Sequence, residues 1–254
     1  MRSAEVDLYI IGTGILGMEQ ISIQTRETLS RCRKVFHLTS IHDELAAVCG
    51  DLVNNAELYW TGKPAREVYR NIIDTIVKEV EKGPGVANLT YGHPLFFDDI
   101  NMGLIREMKK RGLNYKVIPG ISCLDTLSSD LEIDYGDGLQ VYEAQDLVFR
   151  QHPLNPNVHA IILQIAQFGS NLTITSVPTT EGRFSPLEKY LAKFYPADHT
   201  VSIVFSDRGD SYTDYRVDFK INEFDKNQEK MFKGTTLYIP PVANEVSSGN
   251  PPAE

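Results

Sequence analysis

Apolar residues run along this chain in two rhythms. Short unbroken blocks, Leu8-Tyr9-Ile10-Ile11, Lys34-Val35-Phe36-His37-Leu38, Val86-Ala87-Asn88-Leu89-Thr90 and the stretch ending Val117-Ile118, predict strands buried on both faces. Between them the spacing becomes helical. Residues 65–82 place Val68, Ile72, Ile73, Ile76, Val77 and Val80 on one side and stop at Gly83-Pro84-Gly85. Helices are also expected over 20–31 and over 100–111, the latter closed by Gly112. Strands alternating with helices predict an α/β lobe with a mostly parallel, right-handed sheet over residues 1–138. From 139 the pattern changes. Leu139-Gln140-Val141-Tyr142, Ala160-Ile161-Ile162-Leu163-Gln164, Thr200-Val201-Ser202-Ile203-Val204-Phe205 and Thr235-Thr236-Leu237-Tyr238-Ile239 follow one another with one clear helix at 186–194. A second α/β lobe with a more antiparallel, mixed sheet is expected over 139–242. The run 243–254, with Ser-Ser-Gly-Asn-Pro-Pro and few apolar residues, is expected to be disordered.

Composition narrows the class. The 254 residues suffice for one large domain or two smaller ones, and 42% apolar with 23% charged residues is ordinary for a globular chain. A net charge of -9 argues against generic nucleic-acid or anionic-membrane binding, which needs a basic face. Cys32, Cys49 and Cys123 are odd in number and widely spaced, so neither a disulfide framework nor a metal site is suggested, and a cytoplasmic setting is the simplest. The first residues are acidic where a secretion signal would be basic, and no apolar run reaches transmembrane length.

Two strand ends carry candidate chemistry. Gly12-Thr13-Gly14-Ile15-Leu16-Gly17 has the glycine spacing of a dinucleotide loop, but the second strand ends without the ribose-binding acid, the next being Asp43. A tight turn where the backbone must approach a neighbour is the preferred reading. Tyr91-Gly92-His93-Pro94-Leu95-Phe96-Phe97 closes another strand, with Asp98 or Asp99 available to cap the following helix. Its glycine permits close approach, its proline fixes the turn, its phenylalanines form an apolar wall and its histidine can donate or accept a hydrogen bond. With Pro119-Gly120-Ile121-Ser122 it should face a crevice beyond the carboxyl ends of the strands.

These motifs, taken in order from the glycine turn to the closing Thr236-Leu237-Tyr238-Ile239-Pro240-Pro241 strand, resemble the tetrapyrrole methylase superfamily. Tyr-Gly-His-Pro, where most members resemble Gly-Asp-Pro, is similar to the borosin branch, which methylates backbone amides of a peptide. Tyr142-Glu143-Ala144, Leu163-Gln164-Ile165-Ala166 and the Tyr195–His199 turn match further. The resemblance covers residues 8–242. It implies a two-lobed fold, a homodimer and S-adenosylmethionine as cofactor. The cofactor positions it implies are Tyr91, His93, Phe96, Phe97, Ser122 and Cys123, with Gln164, Phe205, Thr235 and Thr236 from the second lobe.

An amide nitrogen is a poor nucleophile because its lone pair is delocalised. Methylating it calls for proton removal and for stabilisation of the imidate oxygen. The resemblance implies Tyr59 and Tyr69 for proton removal or acceptor positioning, Arg66 for the oxygen and Tyr91 for orienting the acceptor. The chain departs from the pattern here. The branch has its arginine four residues before the tyrosine, whereas Ala65 holds that register and Arg66 lies three before Tyr69. One residue turns a helix position by about 100°. Fused borosin enzymes carry an apolar substrate segment that 243–254 lacks, so a split form acting on a separate precursor peptide is expected. The alternatives are a methylase of tetrapyrroles or other small molecules and a catalytically idle cofactor-binding partner.

Overall fold

A computed structural model describes residues 5–206 and 215–242. The disorder expected over 243–254 falls outside the described residues. The chain forms two compact units. The first comprises residues up to Leu131 together with Asn171–Thr175, and the second contains Glu132–Ser170, Ser176–Ser206 and the later described residues. Residues 132–138, grouped with the first lobe on sequence, therefore pack with the second unit.

In the first unit, strands β1 (Leu8–Gly12), β2 (Lys34–Leu38), β3 (Leu52–Asn54), β4 (Val86–Thr90) and β5 (Tyr115–Ile118) make a parallel sheet in the order β3-β2-β4-β1-β5. Its helices are α1 (Ile23–Leu29), α2 (His42–Ala46), α3 (Ala56–Tyr59), α4 (Ala65–Val80), α5 (Asp99–Arg111) and α6 (Cys123–Leu131). The period-two alternation of β1 sends Leu8 and Ile10 to one face, where Val68, Ile72 and Ile76 of α4 and Leu104 and Met108 of α5 cover them. Ile11 joins the opposite cluster with Leu29 of α1 and Leu45 of α2. The chain thus leaves β1 toward one face and β4 toward the other. Adjacent strands whose connections diverge make a topological switch point, where open α/β sheets place their ligands.

Helix α4 ends near its glycine stop as the pattern predicts, and Arg33 fastens that end. Its guanidinium pairs with Glu79 and donates to the carbonyls of Glu79 at 3.0 Å and Gly83 at 3.1 Å. The helix expected over 20–31 is shorter. The side chain of Gln20 accepts from the amides of Ile15 at 2.6 Å and Leu16 at 3.0 Å, so it braces the preceding loop, and Ser22 caps α1 through the Thr25 amide.

In the second unit, β6 (Leu139–Glu143), β7 (His159–Leu163), β8 (Thr200–Phe205), β9 (Tyr215–Lys220) and β10 (Thr236–Ile239) form a mixed sheet in the order β6-β7-β10-β8-β9. Only β6 and β7 pair in parallel. Helices α7 (Ala144–Phe149) and α8 (Ser185–Leu191) accompany it, and Phe184, Leu187, Leu191 and Phe224 lie in its buried core.

Candidate active site

The carboxyl ends of β4, β1 and β5 come together through glycine. A Cβ on Gly12 would lie 2.3 Å from the Gly92 carbonyl oxygen and 2.8 Å from the Gly120 nitrogen. Gly14 and Gly92, both at positive φ, exchange backbone hydrogen bonds of 3.3 and 2.9 Å. The glycines after β1 therefore serve close backbone approach, as the turn reading expected, and they bring the three strand-end loops into one cluster.

The middle loop follows β4. Tyr91 and Phe97 are exposed, while Pro94 is buried. His93 Nδ1 accepts from the Leu95 amide at 3.2 Å, which leaves the proton of a neutral ring on Nε2. Phe96 and Phe97 meet edge to face with centroids 4.9 Å apart, and Phe97 holds φ at 55°. A non-glycine residue in that region carries strain that its surroundings must maintain. After β5, the Ser122 hydroxyl donates to Asp125 at 2.8 Å and accepts from the Leu124 amide at 3.2 Å, so it is engaged at the start of α6. Burial pushes the Cys123 thiol up to about 11, which keeps it protonated and makes it a small apolar contact rather than a nucleophile.

Beneath the loop lies a polar network that sequence reasoning missed. Asn101 on α5 is fully buried, and its Nδ2 donates to the Pro94 carbonyl at 2.9 Å and to Asp98 Oδ2 at 2.9 Å. Its Oδ1 accepts from Asn88 Nδ2 of β4 at 2.7 Å. Asp98 caps α5 through the Asn101 amide at 2.8 Å and accepts from the Thr90 hydroxyl at 2.8 Å. Burial raises the Asp98 carboxyl, against the opposing pull of these donors. The available signal was an asparagine inside the apolar run of β4 and another on the apolar face of α5.

Tyr59 and Tyr69 come together on the same side of the sheet. Their hydroxyl oxygens are 3.3 Å apart and their rings stack at 5.8 Å, with Trp60 edge-on to Tyr59. Burial raises both phenols, and the nearby Asp98 and Asp99 carboxylates raise them further. The phenolate is disfavoured at this pair, which is suited to work as neutral hydroxyls. Arg66, on the first turn of α4, is exposed, and its side chain makes no hydrogen bond or ion pair among the described residues.

In the second unit, the registers Leu237↔Ile162 and Thr236↔Val204 set the start of β10 beside the ends of β7 and β8. Gln164, Thr235, Thr236 and Phe205 consequently share one end of that sheet. Gln164 is exposed with φ at 59°, Thr235 is buried and donates to the Phe232 carbonyl at 2.7 Å, and the buried Phe205 ring lies 5.0 Å from Phe232. Ser206 Oγ is buried there with no hydrogen-bond partner among the described residues.

The sequence profile described as Tetrapyrrole (Corrin/Porphyrin) Methylases matches residues 7–206. The chain belongs to the tetrapyrrole methylase family. Among relatives of this tetrapyrrole methylase is the methyltransferase and ribosomally synthesized gymnopeptide precursor of Gymnopus fusipes. It is 32% identical over 198 residues, covering 76% of this chain and 47% of the relative. A type I borosin cyclic peptide precursor with a methyltransferase, from Gymnopilus junonius, is 28% identical over 248 residues, covering 92% and 57%. The chain spans about half the length of these curated relatives. Uroporphyrin-III C-methyltransferase of Thermus thermophilus, solved in complex with S-adenosylhomocysteine, superposes with a TM-score of 0.62 at 15% identity, covering 92% of this chain and 91% of that one. That likeness establishes the shared fold.

Proposed function

We propose that the protein is an S-adenosylmethionine-dependent methyltransferase that α-N-methylates backbone amides of a separate precursor peptide. Its relatives, named as methyltransferases joined to cyclic peptide precursors, support the reaction and the acceptor class. The observation that carries the reading is the cluster of strand-end loops at the switch point, with the Tyr59–Tyr69 pair near Asp98 and Asp99, which follow the middle loop. Tyr91, His93, Phe96, Phe97, Ser122 and Cys123 of the first unit, and Gln164, Phe205, Thr235 and Thr236 of the second, are proposed as cofactor residues. The apolar rings and the hydroxyl, imidazole and amide groups among them fit a nucleoside-bearing cofactor, as does the Ser206 hydroxyl, buried with no partner among the described residues. When bound, the cofactor supplies a methyl group on a sulfonium sulfur.

The protein's part is to hold the acceptor amide in line and to manage its proton. Tyr69 and Tyr59, as neutral hydroxyls, would orient the amide by hydrogen bonding and relay its proton through their shared contact toward the neighbouring Asp98 and Asp99 carboxylates. Tyr91 would orient the acceptor beside the methyl. Arg66, exposed on the first turn of α4, would stabilise the imidate oxygen. A homodimer and a cytoplasmic setting complete the proposal, and the three free thiols accord with the latter. No described helix is long and apolar enough to cross a membrane.

The exposure of Arg66 favours a second reading, a cofactor-binding partner without transfer activity. Calorimetry with S-adenosylhomocysteine and turnover with precursor peptide separate the two. Tyr69→Phe should lower methylation at least tenfold and leave cofactor affinity within about twofold. Equal losses in both would contradict the role given to Tyr69.

A further inference from the structure

We propose that Asn101 is a positioning residue for the middle loop, holding residues 91–97 in the conformation that receives the methyl donor, with Asn88 and Thr90 as its supports. The inference rests on the methyl-donor reading of that loop. It starts from an oddity of composition. Asn88 interrupts an apolar run in an interior strand, and Asn101 sits on the same buried helix face as Leu104, Ile105 and Met108. Buried amides are costly unless their donors and acceptors are paired.

Here the pairing is directed at one segment. Both Nδ2 protons of Asn101 are placed, one on the Pro94 carbonyl and one on Asp98, and its oxygen is taken by Asn88. The Thr90 hydroxyl reaches Asp98 from the last residue of β4. The strand end and the helix start are therefore tied at two rungs, and the loop between them is caught by the Pro94 carbonyl. Phe97, the residue with positive φ, lies immediately before Asp98. A strained residue persists when its surroundings over-determine it, and this network supplies that constraint. Helix capping alone does not need it, because Asp98 already caps α5 through the Asn101 amide. The side-chain amide of Asn101 acts beyond the cap, on the loop.

The test uses the full chain with S-adenosylhomocysteine as calorimetric probe and hydrogen exchange over 91–98 as a second measurement. Asn101→Leu and Thr90→Val should bind the probe at least tenfold more weakly at a temperature where both remain folded. Exchange over 91–98 should rise in the unliganded variants and fall again on saturation with the probe. Thr90→Ser, which keeps the hydroxyl, should stay within twofold of wild type in both measurements. Folded Asn101→Leu with wild-type affinity and exchange overturns the proposal. If that variant does not fold, Thr90→Val against Thr90→Ser decides, and equal behaviour of the two overturns it. A wild type that does not bind the probe contradicts the methyl-donor reading instead. The exchange comparison then tests the clamp by itself, with unchanged exchange overturning it.

Discussion

At the scale of single residues, the first unit places polar groups in its interior where pairing makes them tolerable. His37 is fully buried at the end of β2. Its Nδ1 lies 3.0 Å from the Thr39 hydroxyl, and its Nε2 lies 2.9 Å from Nδ1 of His42. Burial, then the neighbouring His42, lowers its pKa from 6.5 to about 4. The unfolded chain therefore binds the extra proton between those two values and the folded chain does not. Stability is fully present above pH 6.5 and is lost as the pH falls toward 4. At one unit per 1.36 kcal/mol the loss is about 3 kcal/mol at most. Chemical denaturation across that range should show this slope, and His37→Asn should flatten it. An unchanged slope in the variant would mean that His37 titrates normally in the fold. The same reasoning separates the tyrosines from a base. A phenol raised by burial and by two carboxylates stays protonated at neutral pH, so in the proposed mechanism Tyr59 and Tyr69 would act through their hydroxyl hydrogens.

At the scale of elements, the glycine-bearing strand ends set the geometry. Gly12→Ala would drive a Cβ to 2.3 Å from a backbone carbonyl that cannot rotate away. It should destabilise the protein by about 2–3 kcal/mol and weaken cofactor binding, read by thermal unfolding and calorimetry. A variant with wild-type stability would show that the loops part easily. Much of this level was readable in the sequence. Apolar blocks located β1, β2, β4 and β5 of the first sheet because parallel strands are buried on both faces, while the three-residue edge strand β3 was too short to register. The missing acid after β2 turned the first glycine loop from a dinucleotide site into a packing turn. Other elements were hidden for physical reasons. Gln20 is a good helix former whose side chain is spent on the amides of Ile15 and Leu16, so propensity overextended α1. Strand β9 alternates Tyr215, Val217 and Phe219 with charged residues at the sheet edge, too short a signal to stand out before its partner β8 is known. Arg66 and Tyr69 share a helix spacing, yet one is solvated and the other half-buried, and only the packing of α4 distinguishes them. Asn101 could not be assigned because its partners, Pro94 and Asn88, meet it only after β4 and α5 pack together.

At the scale of the whole molecule, family membership fixes the fold and leaves the acceptor to chemistry, since one fold hosts many activities. The tetrapyrrole methylase fold is shared with enzymes of macrocycle synthesis, while the curated relatives are methyltransferases joined to peptide precursors, of which this chain spans about half. Those relatives are the reason to propose a peptide acceptor. The most direct measurement is incubation with S-adenosylmethionine carrying a deuterated methyl group and a candidate precursor peptide, followed by fragmentation mass spectrometry. The account predicts labelled methyl groups on backbone nitrogens of the peptide. Label confined to side chains, or none while the cofactor is bound, would contradict it.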